Sequence, residues 1–129
     1  MQQKNYSQIV LDHYRNPRNF GKLKEPTHTA EEVNPLCGDE IKVYLRVKNG
    51  KNGKNGKIED IRYEARGCAL SIAVASILAE RIVNRELRIE ETGKMEKSDI
   101  EQMLGIKISP ARESCILLSL NAINKALSS

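Results

Sequence analysis

Apolar and polar positions change period along the chain, and each change marks an element. Tyr6, Ile9, Val10, His13 and Tyr14 fall at i, i+3, i+4, i+7 and i+8, one face of an amphipathic helix that Pro17 stops. Thr27 to Val33 is read as an edge strand. From Ile41 the period becomes two: Ile41, Val43, Leu45 and Val47 alternate with Lys42, Tyr44, Arg46 and Lys48, as a half-buried strand requires. Alternation resumes from Ile58 to Ala65. Between these runs lie Asn49-Gly50, Asn52-Gly53 and Asn55-Gly56, a dipeptide that tolerates positive φ, so the two strands are predicted to form a β-hairpin with an elongated tip.

After Gly67-Cys68 the apolar residues no longer favour one face. Ala69 to Val83 is apolar nearly all round, which predicts a largely buried helix. Ser98-Asp99-Ile100-Glu101 has capping-box spacing and Gly105 follows, giving a short helix from Ser98 to Leu104. Ser109-Pro110 reads as an N-cap followed by Pro at the first helical position, opening a last helix through Leu127.

Composition narrows this picture. With 129 residues, one domain spanning 1–129 is expected, and 40% hydrophobic residues with one Phe and no Trp imply an aliphatic core. No apolar run approaches the roughly 20 residues that span a bilayer, and the polar start Met1-Gln2-Gln3-Lys4-Asn5 is unlike an export leader. An odd cysteine count without a leader points to a reducing, cytoplasmic setting. The net charge of +4 sits largely between Lys48 and Lys57, without interleaved aromatics, so it reads as a solvated loop and no nucleic-acid partner is expected. Ser/His/Asp order, a Walker loop and a dinucleotide fingerprint are all missing.

Four residues carry candidate chemistry. Cys37 and Asp39 share a turn, Cys68 stands at a strand-to-helix junction, and Cys115 lies in the opening turns of the last helix. Helix N–H groups aimed at Cys68, and similarly at Cys115, favour thiolate over thiol. Three thiolates and one carboxylate make a four-coordinate set that zinc accepts, and thiolates also hold iron–sulfur clusters. The harder carboxylate exchanges more readily than a fourth thiolate, which suits a site that releases what it holds. The competing reading is three buried, inert cysteines, because spacing alone does not show that the three element ends converge. His13 is read as a packed or partner-facing residue and His28 as a solvated one.

These residues lie within longer motifs. The segments from Tyr6 to Gly21, Asn34-Pro35-Leu36-Cys37-Gly38-Asp39, Gly67-Cys68-Ala69-Leu70-Ser71, and Pro110-Ala111-Arg112 with Cys115 resemble the NifU/IscU/SufU family of iron–sulfur cluster assembly proteins. The likeness runs from about Tyr6 to Ala126. It implies a SufE/NifU-like α+β fold, a three-stranded antiparallel sheet packed against helices, with the metal site at one exposed end. It also implies that Cys37, Asp39, Cys68 and Cys115 surround zinc in the protein as isolated, or iron and a transient [2Fe–2S] cluster.

Two departures matter. Isc-type members carry a histidine immediately before the last cysteine, where this chain has Ser114, and a Leu-Pro-Pro-Val-Lys chaperone segment, where it has Ile108-Ser109-Pro110-Ala111-Arg112. Both resemble the SufU branch, yet only 46 residues separate Cys68 from Cys115, without the SufU insertion. The closest pattern is a compact NifU-type N-terminal domain.

The function implied is a scaffold that accepts sulfur from a cysteine desulfurase, on Cys115 in preference to Cys37, and passes a finished cluster to apo-proteins. The alternative is a zinc-dependent sulfurtransferase that activates the desulfurase and never carries a cluster. The resemblance also allows a homodimer around a shared cluster.

Overall fold

A computed structural model describes residues 7–48 and 57–128. Helix α1 (Gln8–Arg15) is followed by strands β1 (His28–Asn34), β2 (Asp39–Lys48) and β3 (Lys57–Arg66). Helices α2 (Ala69–Val83), α3 (Ile89–Thr92), α4 (Lys97–Leu104) and α5 (Glu113–Leu127) come after them, and a 3-10 turn at Pro110–Arg112 leads into α5. The strands form one antiparallel sheet in the order β1-β2-β3. Helix α5 covers β1 and β2, α2 packs against β3 and α5, and α1 lies on α2.

The two periodicities explain this layering. Ile41, Val43 and Leu45 of β2 pair with Ala65, Tyr63 and Ile61 of β3, so the apolar positions of both strands share one face. Helix α2 meets that face and its neighbouring helices with ten buried positions, as its unbroken apolar run requires. Each fully buried Leu, Ile or Val contributes about 1.5–3 kcal/mol, making α2 a rigid mount for the cysteine at its start.

Several sequence expectations shift. In α1, Val10 and His13 are buried but Ile9 and Tyr14 stay nearly half exposed, so the stripe is wider than the contact it makes. Tyr6 and the three Asn-Gly pairs lie outside the described residues. Tyr44, on the polar side of the β2 pattern, is buried on the opposite sheet face, where its hydroxyl donates to Glu64 at 2.6 Å and Lys42 lies over its ring. Helix α4 begins at Lys97, one residue before the Ser98 start read from the sequence. Its N-cap is Glu96, whose N–H donates to the Asp99 carboxylate at 2.8 Å. Helix α3, a single turn, left no periodic signal long enough to detect.

Candidate metal centre

The site is assembled at the end of the sheet where β2 begins and β3 finishes. Asn34 closes β1 opposite Asp39, and its carbonyl accepts from the N–H groups of Cys37 and Gly38, forming a tight turn. Its side chain works in both directions. Oδ1 accepts from the Leu36 N–H at 3.2 Å, and Nδ2 donates to Ser114 Oγ at 2.9 Å, tying the cysteine turn to the start of α5. Gly38 has φ +73, which permits the chain to reverse immediately after Cys37. The turn thereby presents Cys37 to solvent and directs Asp39 inward.

Three of the four residues singled out in the sequence meet closely. Donor atoms of Cys37, Asp39 and Cys115 all lie within 4.8 Å of one another, with the two sulfurs 3.4 Å apart. Cys68 stands at the N-cap of α2 and joins through Asp39: its N–H donates to Oδ1 at 3.1 Å, and its sulfur is 3.8 Å from Oδ2. His13 lies apart from this group, with Nδ1 2.7 Å from Ser76 Oγ in the α1–α2 contact. His28 opens β1 beside Thr27.

Gly67 explains how close the two segments come. Its φ is +151, and a Cβ added there would stand 2.3 Å from Asp39 Oδ1. Only glycine lets β3 turn into α2 against that carboxylate. Sequence reasoning quoted Gly67, Ser71 and Asn34 within motifs but gave them no role. The available signals were the Gly before Cys68, the i+3 spacing of Ser71 from Cys68, and the Asn-Pro pair before the turn.

The environment of Cys115 differs from the sequence expectation. Its side chain is buried on the third residue of α5. Burial foremost, then its hydrogen bond to Cys37 and the nearby Cys68 and Asp39, push the Cys115 thiol well up. In the metal-free arrangement this outweighs a helix N-terminus. A bound cation inverts the balance, because it favours every thiolate facing it. The donor set fits such a cation. Two thiolates held about 2.3 Å from a tetrahedral zinc stand about 3.8 Å apart, so the observed separation needs to open by only a few tenths of an ångström.

The NifU-like N-terminal domain model matches residues 5–129. The chain belongs to that family. Among its relatives, the iron–sulfur cluster assembly scaffold protein IscU of Thermotoga maritima is 35% identical, with 95% of this chain and 92% of that protein covered. The zinc-dependent sulfurtransferase SufU of Bacillus subtilis is 29% identical, covering 95% and 88%. A solved structure of a putative scaffold protein for the SUF system from Fervidobacterium islandicum superimposes with a TM-score of 0.71 at 26% identity, covering 95% and 96%. The α+β architecture with its three-stranded antiparallel sheet is therefore that of NifU-like domains. In this NifU-like chain Ser114 bonds to Asn34. The position before the last cysteine thus ties the start of α5 to the cysteine turn.

Proposed function

We propose that this NifU-like chain is a scaffold on which an iron–sulfur cluster is assembled before transfer to apo-proteins. The observation that carries the reading is the gathering of Cys37, Asp39 and Cys115, with Cys68 against Asp39, at one end of the sheet. These four residues are the proposed ligands of zinc in the resting protein and of the [2Fe–2S] cargo during assembly. Zinc, when bound, holds the thiolates deprotonated and spaced for exchange.

Sulfur enters through Cys37 in this scheme. Cys37 is exposed while Cys115 is buried, and thiolate attack requires an approachable sulfur. The Cys37 thiolate attacks the outer sulfur of a desulfurase persulfide, forming a new S–S bond and releasing the desulfurase cysteine as thiolate. This reverses the preference for Cys115 reached from sequence. Two electrons per sulfane sulfur, supplied by an added reductant, then yield the sulfide that bridges iron. Leu36, 93% exposed beside Cys37, offers an apolar contact to the docking desulfurase.

The test is anaerobic reconstitution with a cysteine desulfurase, cysteine, ferrous iron and dithiothreitol, followed by visible absorption and metal analysis. Cluster absorption with bound iron and sulfide supports the scaffold. Retained zinc without a cluster, with faster desulfurase turnover, establishes the sulfurtransferase reading instead. That second reading is supported by Ser114, which supplies no imidazole. Cys37→Ser and Cys68→Ser are each expected to abolish stable metal binding, and parental zinc and cluster content in either variant refutes the ligand assignment.

A further inference from the structure

Asp39 has no exposed surface, and each of its carboxylate oxygens has a separate donor. Oδ1 accepts from the Cys68 N–H, and Oδ2 accepts from the Ser71 hydroxyl at 2.6 Å. Ser71 lies three residues beyond Cys68 on α2, so both side chains occupy the same helix face. Its Oγ is also 3.2 Å from the Cys115 carbonyl and 3.6 Å from Cys68 sulfur. A hydroxyl has one hydrogen, and the charged acceptor at the shorter distance takes it. Gly67 presses on the same carboxylate from the other side, where no Cβ fits.

We propose that Ser71 is a positioning residue for the metal centre. It fixes the Asp39 carboxylate in one orientation beside the thiols of Cys37 and Cys115. Together with the Cys68 N–H, it takes one lone-pair site on each oxygen and leaves the remaining sites of the carboxylate to a metal. The inference rests on the metal-site reading above, and second-layer hydrogen bonds of this kind govern ligand geometry and affinity.

The experiment uses cobalt(II) as a spectroscopic substitute for zinc, with affinities measured by chelator competition. Ser71→Ala is expected to weaken cobalt and zinc binding roughly 10–100-fold and to shift the cobalt d–d bands. Ser71→Thr, which retains a hydroxyl, is expected to restore most of both, while the similarly shaped Ser71→Val is not. In an Asp39→Ala background the Ser71→Ala change should add nothing, because the two act as one unit. Thermal unfolding of the metal-free variants identifies any that fail to fold, and the Thr and Val pair then decides the point. Unchanged affinity and spectrum in Ser71→Ala, or equal losses with and without Asp39, overturn the inference while leaving the metal site standing. Absence of thiolate-to-cobalt charge transfer in the parent protein removes both.

Discussion

At Gly67 the two strands that supply the site approach until a single methyl group no longer fits. Gly67→Ala places that methyl against Asp39 Oδ1 at a φ that side chains rarely adopt, and is expected to cost about 1–3 kcal/mol. A urea titration of the metal-free protein checks this, and an unchanged midpoint refutes it. Asp39→Ala removes the proposed carboxylate donor and should slow cluster transfer to an apo-ferredoxin. Transfer as fast as in the parent would show that the carboxylate does not assist release. His13 supplies a pH dependence. Burial, aided by the Arg18 charge, holds its imidazole below the ordinary value near 6.5. Between the lowered folded value and about 6.5 the unfolded chain binds more protons, so stability is complete above that window and lost as pH falls through it. The metal-free parent should therefore lose more stability than His13→Asn between about pH 7.5 and 5.5, and parallel losses would exclude His13 as the cause.

Among the elements, those with long, unambiguous periods were legible in the chain. Residues 69–83 read as a helix because fifteen consecutive residues favour one, and the structure ends α2 at Val83. β2 and β3 were legible because alternation over a half-buried face has few other solutions. What escaped was set by tertiary partners. Tyr44 breaks its pattern because the opposite sheet face has a Glu64 acceptor for its hydroxyl. Residues at sequence distances of 29 and 80 make the hydrogen bonds that define the site, and local spacing cannot encode them. The end of α2 gives a separate prediction. Arg85 has φ +64 at the position after the C-cap, with its N–H on the Ile82 carbonyl and the Glu86 N–H on that of Arg81, an arrangement that favours glycine. Arg85→Gly should raise the melting temperature by roughly 2–4 °C, corresponding to about 0.5–1 kcal/mol. A lower value would mean that the arginine side chain stabilises the fold by more than its backbone strain costs.

Across the whole molecule, the proposed donors come from three separated parts of the chain: the turn leading into β2, the start of α2 and the start of α5. A cation held by all three ties the sheet to both of its covering helices, so metal binding is coupled to folding. With free zinc at 100 times its dissociation constant, the loaded protein should gain about 2.7 kcal/mol, and a strong chelator should lower its melting temperature correspondingly. Identical melting with and without chelator would show that the site contributes nothing to the fold. The same strand that begins at Asp39 ends at Lys48, nine residues later. At about 3.3 Å per residue, its far end stands on the order of 30 Å from the cysteine turn. The molecule accordingly has a working end and an end by which it can be held. A chain tethered to a bead through Lys48 keeps its cysteine turn facing the liquid, so it can be charged by one flowing protein and emptied by the next.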